Sequence, residues 1–200
     1  MTADRRIRRS REALHRALIA LVLEKGYETV TIQDIVARAD VGRSTFYAHF
    51  DSKEDLLTSG MAELRTLLLA HQEAALAGRG GLDARSLGFS RALFEHVPSY
   101  REVYRALVSE RGSAIVLNRL RGLLADLVRR DLAAMAPPEE GGPVPRSALV
   151  HFVVGALIAM LTWWTERNCD LPPASVDAMF RRLTIPALAA ALGTTPETGT

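Results

Sequence analysis

Two hundred residues, 48% hydrophobic and 24% charged, suffice for one large domain or a small head on a larger body, and exclude a wholly disordered chain. The single cysteine, Cys169, excludes an intramolecular disulfide and a cysteine-based zinc site; in a reducing interior its thiol is expected to fill apolar space. The net charge of +2 is unevenly spread, with ten basic against seven acidic side chains in residues 1–53 and fifteen against sixteen in the rest.

Five of those ten basic groups are Arg5, Arg6, Arg8, Arg9 and Arg11. Such a start suits a polyanionic partner, or is simply a solvated, frayed terminus. It holds no apolar run before Leu14, so it reads as neither a signal peptide nor an anchor, and a cytoplasmic protein is expected. From there the apolar positions recur at helical period. Leu14, Leu18, Leu21 and Val22 form a stripe that Gly26 should end; Ile32, Ile35, Val36 and Ala39 form a second, short one. Phe46, Tyr47 and Phe50 fall in a third segment, between Gly42 and Asp51, and Leu57, Met61, Leu64 and Leu68 line a fourth running toward Gly78. After the Gly78–Gly81 loop, Pro98 and Ser99 should open a helix with Glu102 completing a capping box. Its face would be Tyr100, Val103, Tyr104, Leu107 and Val108. Val116, Leu120, Leu123 and Leu127 mark a longer helix to about Met135, and the Pro- and Gly-rich stretch 136–145 is expected to be a loop. Pro172 and Pro173 should start the last helix, with Val176, Met179, Phe180 and Leu183 on its face and a kink at Pro186. Residues 194–200 read as a disordered tail. No stretch alternates at period two, so the expected fold is all-α.

The chemistry concentrates in residues 31–54. Two short helices joined by a tight turn at Ala39, Asp40 and Val41 make a helix-turn-helix pattern, the first capped by Thr31 and Asp34. If Phe46 and Phe50 face inward, then Arg43, Ser44, Thr45, Tyr47 and His49 remain on the surface. They are hydrogen-bonding groups of the kinds that read base edges and phosphates, though Tyr47 in the core and His49 as a cap would also be ordinary.

This stretch resembles the TetR family of bacterial transcriptional regulators. The resemblance rests on Gly26-Tyr27, Thr31, Ile35, Ala39, Val41, Thr45-Phe46-Tyr47, His49-Phe50, Lys53 and Leu56-Leu57, and spans residues 8–68. Phe94, Tyr104 with the Arg-Ala-Leu that follows it, Gly155-Ala-Leu and Trp163-Trp164 look like one subset of the family's second domain, placed here at 83–193. The resemblance implies that Thr31 caps the first helix and touches a phosphate, with Gln33 beside it at the groove edge. It further implies that Arg43, Ser44 and Thr45 start the recognition helix in the major groove. Tyr47 and His49 would meet a phosphate or a thymine methyl, and Lys53 a phosphate. Two positions depart from the pattern: Asp40 stands where the turn usually has Gly, and Gly42 where it usually has Ser or Thr.

Ser147 to Thr165 is nineteen residues without a charge, long enough to count as a marginal membrane span. The resemblance offers another reading, in which this helix and the last one pair with their copies in a second subunit while the opposite side faces a ligand cavity. The aromatic density of this half makes such a cavity plausible, with Phe94, Tyr100, Trp163 and Trp164 as walls and Tyr104, Arg105 and His151 as polar anchors. No nucleophile elbow, Walker loop or dinucleotide fingerprint is present, and none of the five histidines lies within five residues of another. The expectation is therefore a non-enzymatic homodimer without cofactor, bound to a palindromic duplex operator and released by a small apolar or aromatic effector. The alternative is a constitutive DNA-binding protein whose second domain only dimerises.

Overall fold

The first helix, α1 (Thr2–Lys25), buries Leu14, Ala17, Leu18, Leu21 and Val22 on one stripe and ends at Gly26, whose φ of 81° suits a residue without a side chain. The structure is a computed structural model that describes residues 2–79, 81–108, 114–135, 144–166 and 170–193. Among these residues only helices and their connections occur. A 3₁₀ turn (Tyr27–Thr29) leads to α2 (Ile32–Ala39) and α3 (Arg43–Tyr47), which with α1 form a small head closed by Ile35, Val36, Phe46 and Phe50. The third helix is shorter than its pattern implied. Phe50 lies beyond its end, yet its N–H still bonds to the Phe46 carbonyl at 2.9 Å, so both rings point inward.

Helix α4 (Lys53–Ala77) starts in the head at Leu56 and Leu57 and ends in the body, where Leu68 and Gln72 are buried. The two parts thus share one helix and one continuous core. The body comprises α5 (Leu82–Arg85), α6 (Phe89–His96), α7 (Arg101–Val108), α8 (Ala114–Met135), α9 (Arg146–Glu166) and α10 (Pro173–Ala191). The capping box expected at Ser99 does not form. Val97–Tyr100 is a 3₁₀ turn with helical backbone on both sides, so Ser99 lies inside a continuous helical run rather than at a start. Helix α10 passes through Pro186 without interruption, and its expected face is split: Val176 and Phe180 are buried, while Leu183 is 70% exposed. The expected 136–145 loop lies mostly, and the tail, Cys169, and the side chains of Val103, Leu107 and Val108 wholly, outside the described residues.

One buried polar junction holds head helix and body together. Asp131 of α8 accepts the Gln72 amide at 2.7 Å and the Leu87 N–H at 2.8 Å, and Arg181 of α10 donates to the Ser86 and Leu87 carbonyls at 2.9 and 3.2 Å. Leu87 is fully buried with φ of 54°, a left-handed conformation costly for a branched side chain. Next to it, a Cβ on Gly88 would lie 2.2 Å from the Ala75 Cβ of α4, so the two helices meet there without a side chain between them.

Burial pushes the Asp131 carboxyl up to about 6, more than the donated hydrogen bonds and Arg181 pull it down. A raised carboxyl favours the folded state while it is protonated, so this stabilisation is complete below about pH 4 and disappears as pH rises through about 6. Relative to the non-titrating Asp131→Asn, the wild type should therefore lose about 3 kcal/mol of unfolding free energy between acid and neutral pH. Parallel denaturant titrations across that range measure it; curves that stay parallel would contradict this assignment.

Candidate DNA-reading head and effector cavity

The head is assembled by local hydrogen bonding. Thr31 caps α2, its Oγ1 accepting the Asp34 N–H at 3.2 Å while Asp34 accepts the Thr31 N–H at 2.8 Å and its hydroxyl at 2.6 Å. Lys25 adds an ion pair at 2.8 Å, and this ring of donors holds the Asp34 carboxyl well below the usual carboxylate range. Because the Thr31 hydroxyl already donates to Asp34, it faces any outside phosphate as an acceptor-rich group; Gln33, exposed next to it, is the freer donor. Asp40 adopts φ of 53°, the left-handed turn that glycine would take most easily and that aspartate tolerates. Gly42 caps α3 without a side-chain bond, and a Cβ there would meet nothing nearer than the Ser44 Oγ at 3.6 Å, so its missing hydroxyl does not reflect a lack of room.

On α3 the candidates divide by exposure. Arg43, Ser44 and Tyr47 are exposed, and Thr45 is half-buried. The Arg43 guanidinium lies over the Tyr47 ring, 5.6 Å from its centroid, and reaches its hydroxyl at 3.4 Å, which pre-orders two of the outward groups. His49 follows the helix and sits 3.4 Å from Ser10 Oγ of α1.

Lys53 departs from its expected place. Its ammonium turns into the head, donating to the carbonyls of Tyr27 at 2.9 Å and Val30 at 3.1 Å, and lies 4.5 Å from the centre of the Tyr27 ring. The Tyr27 carbonyl already accepts the Val30 N–H at 3.3 Å, and the ammonium supplies it with a second donor while also bonding the Val30 carbonyl. As placed, Lys53 ties α4 to the α1–α2 connection.

A cavity of about 260 Å³ lies where head meets body. His15, Arg16, Leu18 and Ile19 of α1 form one wall and Gly60, Met61 and Leu64 of α4 a second. The opposite side is His96, Tyr100 and Tyr104, with Val116 and Leu120 of α8. Of the seven expected ligand residues only Tyr100 and Tyr104 line it. Phe94 is wholly buried, edge-on to Trp164 and tilted against Phe180 at about 6 Å, which is core packing. Trp164 donates its indole N–H to the Leu171 carbonyl at 3.2 Å, and Arg105 pairs with Glu102 at 2.7 Å on the surface. His151, exposed, hydrogen-bonds the Ser147 carbonyl, and Trp163 joins Met160, Met179 and Leu183 in an apolar surface hollow. Neither tryptophan is therefore a direct reporter of cavity occupancy.

Among the lining residues that sequence reasoning missed, His15, His96 and Gly60 shape the cavity. Gly60 allows the His15 ring to approach, with Cδ2 only 3.3 Å from where a Cβ would stand. His15 hydrogen-bonds Ser59 Oγ at 2.8 Å and faces Glu63 at 3.6 Å; burial, helped by Arg11 and opposed by Glu63, keeps its pKa low. His96 stacks on Tyr100 at 4.5 Å and meets the Tyr104 hydroxyl at 3.1 Å. Burial lowers the His96 pKa and raises that of Tyr104, so both stay neutral. Among the described residues the wall is thus apolar and aromatic, with neutral hydrogen-bonding groups, and ionic at Arg16 and at Glu63, which pairs with Arg11 at 3.0 Å.

Comparison with known proteins places this architecture. Residues 14–59 match the family model of bacterial regulatory proteins of the tetR family, and residues 86–185 match a transcriptional regulator C-terminal region. The HTH-type transcriptional regulator TcmR of Streptomyces glaucescens is 28% identical over 184 residues, covering 86% of this chain and 81% of its own. A TetR-family regulator structure from Syntrophomonas wolfei superposes with a TM-score of 0.66 at 21% identity, covering 92% of this chain and 96% of that one. The transcriptional regulator FadR from Bacillus subtilis, in complex with stearoyl-CoA, gives 0.60 at 15% identity, covering 87% and 97%. These relatives are regulators and not enzymes. With both halves matched in order and the head built around α2 and α3, the chain belongs to the TetR family of transcriptional regulators.

Proposed function

We propose that the protein is a cytoplasmic, homodimeric repressor that reads a pseudo-palindromic duplex and releases it when a small, flat, largely apolar molecule enters the cavity. The observation that supports this reading best is that the cavity wall is drawn from both parts. A ligand there touches α1 and α4 of the head as well as α7 and α8, so it can favour one head position over another. The head spans about residues 8–68 and the effector and dimerisation part about 83–193, with α4 common to both. Arg43, Ser44 and Thr45 approach base edges, and Thr31, Gln33, Tyr47 and His49 approach the sugar-phosphate backbone.

The second subunit covers the apolar surface left by α9 and α10. Helix α9 has a mean hydropathy of 1.8 over its best 18-residue window, of which only 44% is buried within the chain. Phe152 is 48% exposed, and Trp163, Met179 and Leu183 continue its face. Two copies packed through this surface bury it without a membrane, and their two-fold axis demands half-sites about one helical turn or a multiple apart.

Gly60→Val provides the test. Its added atoms would enter the cavity against His15, with no effect expected on α3. The wild type should bind an anilinonaphthalene sulfonate probe in competition with flat aromatic ligands, and those ligands should weaken binding to a duplex enriched from random sequence. In Gly60→Val, probe affinity should fall at least about tenfold, equivalent to about 1.4 kcal/mol, while duplex affinity stays within about twofold. A wild type whose duplex affinity no cavity ligand alters would favour the constitutive binder.

A further inference from the structure

The N-terminal third of α1 projects beyond the head it belongs to. Among the described side chains of the helix the first buried is Leu14, whereas residues 5–9 are all exposed, so residues 5–9 form an overhang about 7.5 Å long at 1.5 Å per residue. Its root is fixed beside the reading segment: Ser10 Oγ lies 3.4 Å from His49 Nε2, and the Arg11 guanidinium lies 4.9 Å from the centre of the Phe50 ring. The overhang therefore leaves the head next to the end of α3.

Its charge is unusual for that end of a helix. Helix N-termini favour acidic side chains, yet this one presents Arg5, Arg6, Arg8 and Arg9, which cost rather than add helix stability. Arg8 faces Glu12 at a loose 3.7 Å, and Arg5, Arg6 and Arg9 have no ion pair among the described residues. Arg5, Arg6, Arg8 and Arg9 border one shallow furrow with Glu12 and Arg16. A furrow lined mainly by guanidiniums, rooted beside the recognition helix, fits the regularly spaced phosphates of a duplex.

We propose that this overhang is a second DNA-contacting element, which lies along the phosphate backbone outside the half-site read by α3 and lengthens the operator without adding sequence preference. The inference rests on the DNA-binding reading above and adds a surface to it.

The test compares the full chain with the quadruple variant Arg5→Ala, Arg6→Ala, Arg8→Ala and Arg9→Ala on two operators. One duplex ends at the outer edge of the half-sites, and the other extends about ten base pairs, one helical turn, beyond each. All four side chains are exposed and alanine is the best helix former, so the variant should melt like the wild type. The wild type should bind the longer duplex more tightly and with a steeper dependence on salt. In the variant the slope of log K against log salt should fall by about 0.9 per lost contact, up to about 3.6 per head, and the advantage of the longer duplex should vanish. Base preference within the half-site should not change, and the matching quadruple lysine variant should keep most of the slope. A slope lowered by less than one unit, or a wild type indifferent to flanking DNA, overturns the proposal while leaving specific binding intact. Failure of the wild type to prefer any duplex would instead overturn the DNA-binding reading on which it rests.

Discussion

Gly88→Ala should lower the unfolding free energy by about 3 kcal/mol or more, at the upper end for overpacking of a filled core. The reason is local and rigid. The new Cβ would stand 2.2 Å from the Ala75 Cβ and 3.2 Å from the His71 carbonyl oxygen, and neither can rotate away as a long side chain could. Relief requires α4 and α6 to separate, which would also pull on Leu87, whose strained φ is held by the bond from its N–H to Asp131. For a chain of this size the midpoint of thermal unfolding should drop by on the order of 10 °C. The double variant Gly88→Ala with Ala75→Gly, which removes the opposing methyl, should recover most of the loss. A single variant that melts with the wild type would show that the helices are not in contact at this point.

Lys53→Ala separates the two roles available to that residue. If its ammonium holds the Tyr27 and Val30 carbonyls, its loss removes two charge-assisted hydrogen bonds and a cation–π contact, together about 3 kcal/mol. Duplex affinity should then fall because the head loosens, with little change in the slope of log K against log salt. Lys53→Arg should not rescue it, because a planar guanidinium does not converge on two carbonyls as an ammonium does. A variant of unchanged stability whose salt slope falls by about 0.9 would return Lys53 to the phosphate.

Residues whose role is decided locally were legible in the sequence. The Thr31–Asp34 box, the left-handed Asp40, the Gly26 stop and the inward Phe46 and Phe50 depend on spacings of four or fewer, and each is found in the head. The expected cavity residues depend instead on which helices meet. Aromatic density between Phe89 and Trp164 marks where side chains are large, and large rings such as Phe94, Trp164 and Phe180 fill space against one another. The opening arises where side chains are small, at Gly60, opposite a histidine 45 residues earlier in the chain. The spacing of His96, Tyr100 and Tyr104 by four residues carried a usable signal, since it put three polar-tipped rings on one helical face. The bonds from Lys53 to the Tyr27 and Val30 carbonyls were not legible for a related reason: nothing in its sequence neighbours shows that the Tyr27–Thr29 turn, far earlier in the chain, comes within reach.

Helix α4 runs unbroken from the reading head into the body, fixed near its far end where Gln72 reaches Leu127 and Asp131 and Ala75 meets Gly88. From Gln72 back to Lys53 it is about 29 Å long at 1.5 Å per residue. The cavity opens against this rod partway along, at Gly60 and Met61, and the head is attached at its other end. A pivot of about 7° at the fixed end would carry that end sideways by about 3.5 Å, close to the 3.4 Å rise of one base step. In the proposed two-fold pair both rods would swing, and the mismatch with the duplex would double. Under the proposed function, a displacement too small to disturb the packing of either part would then put both α3 helices out of register with their half-sites.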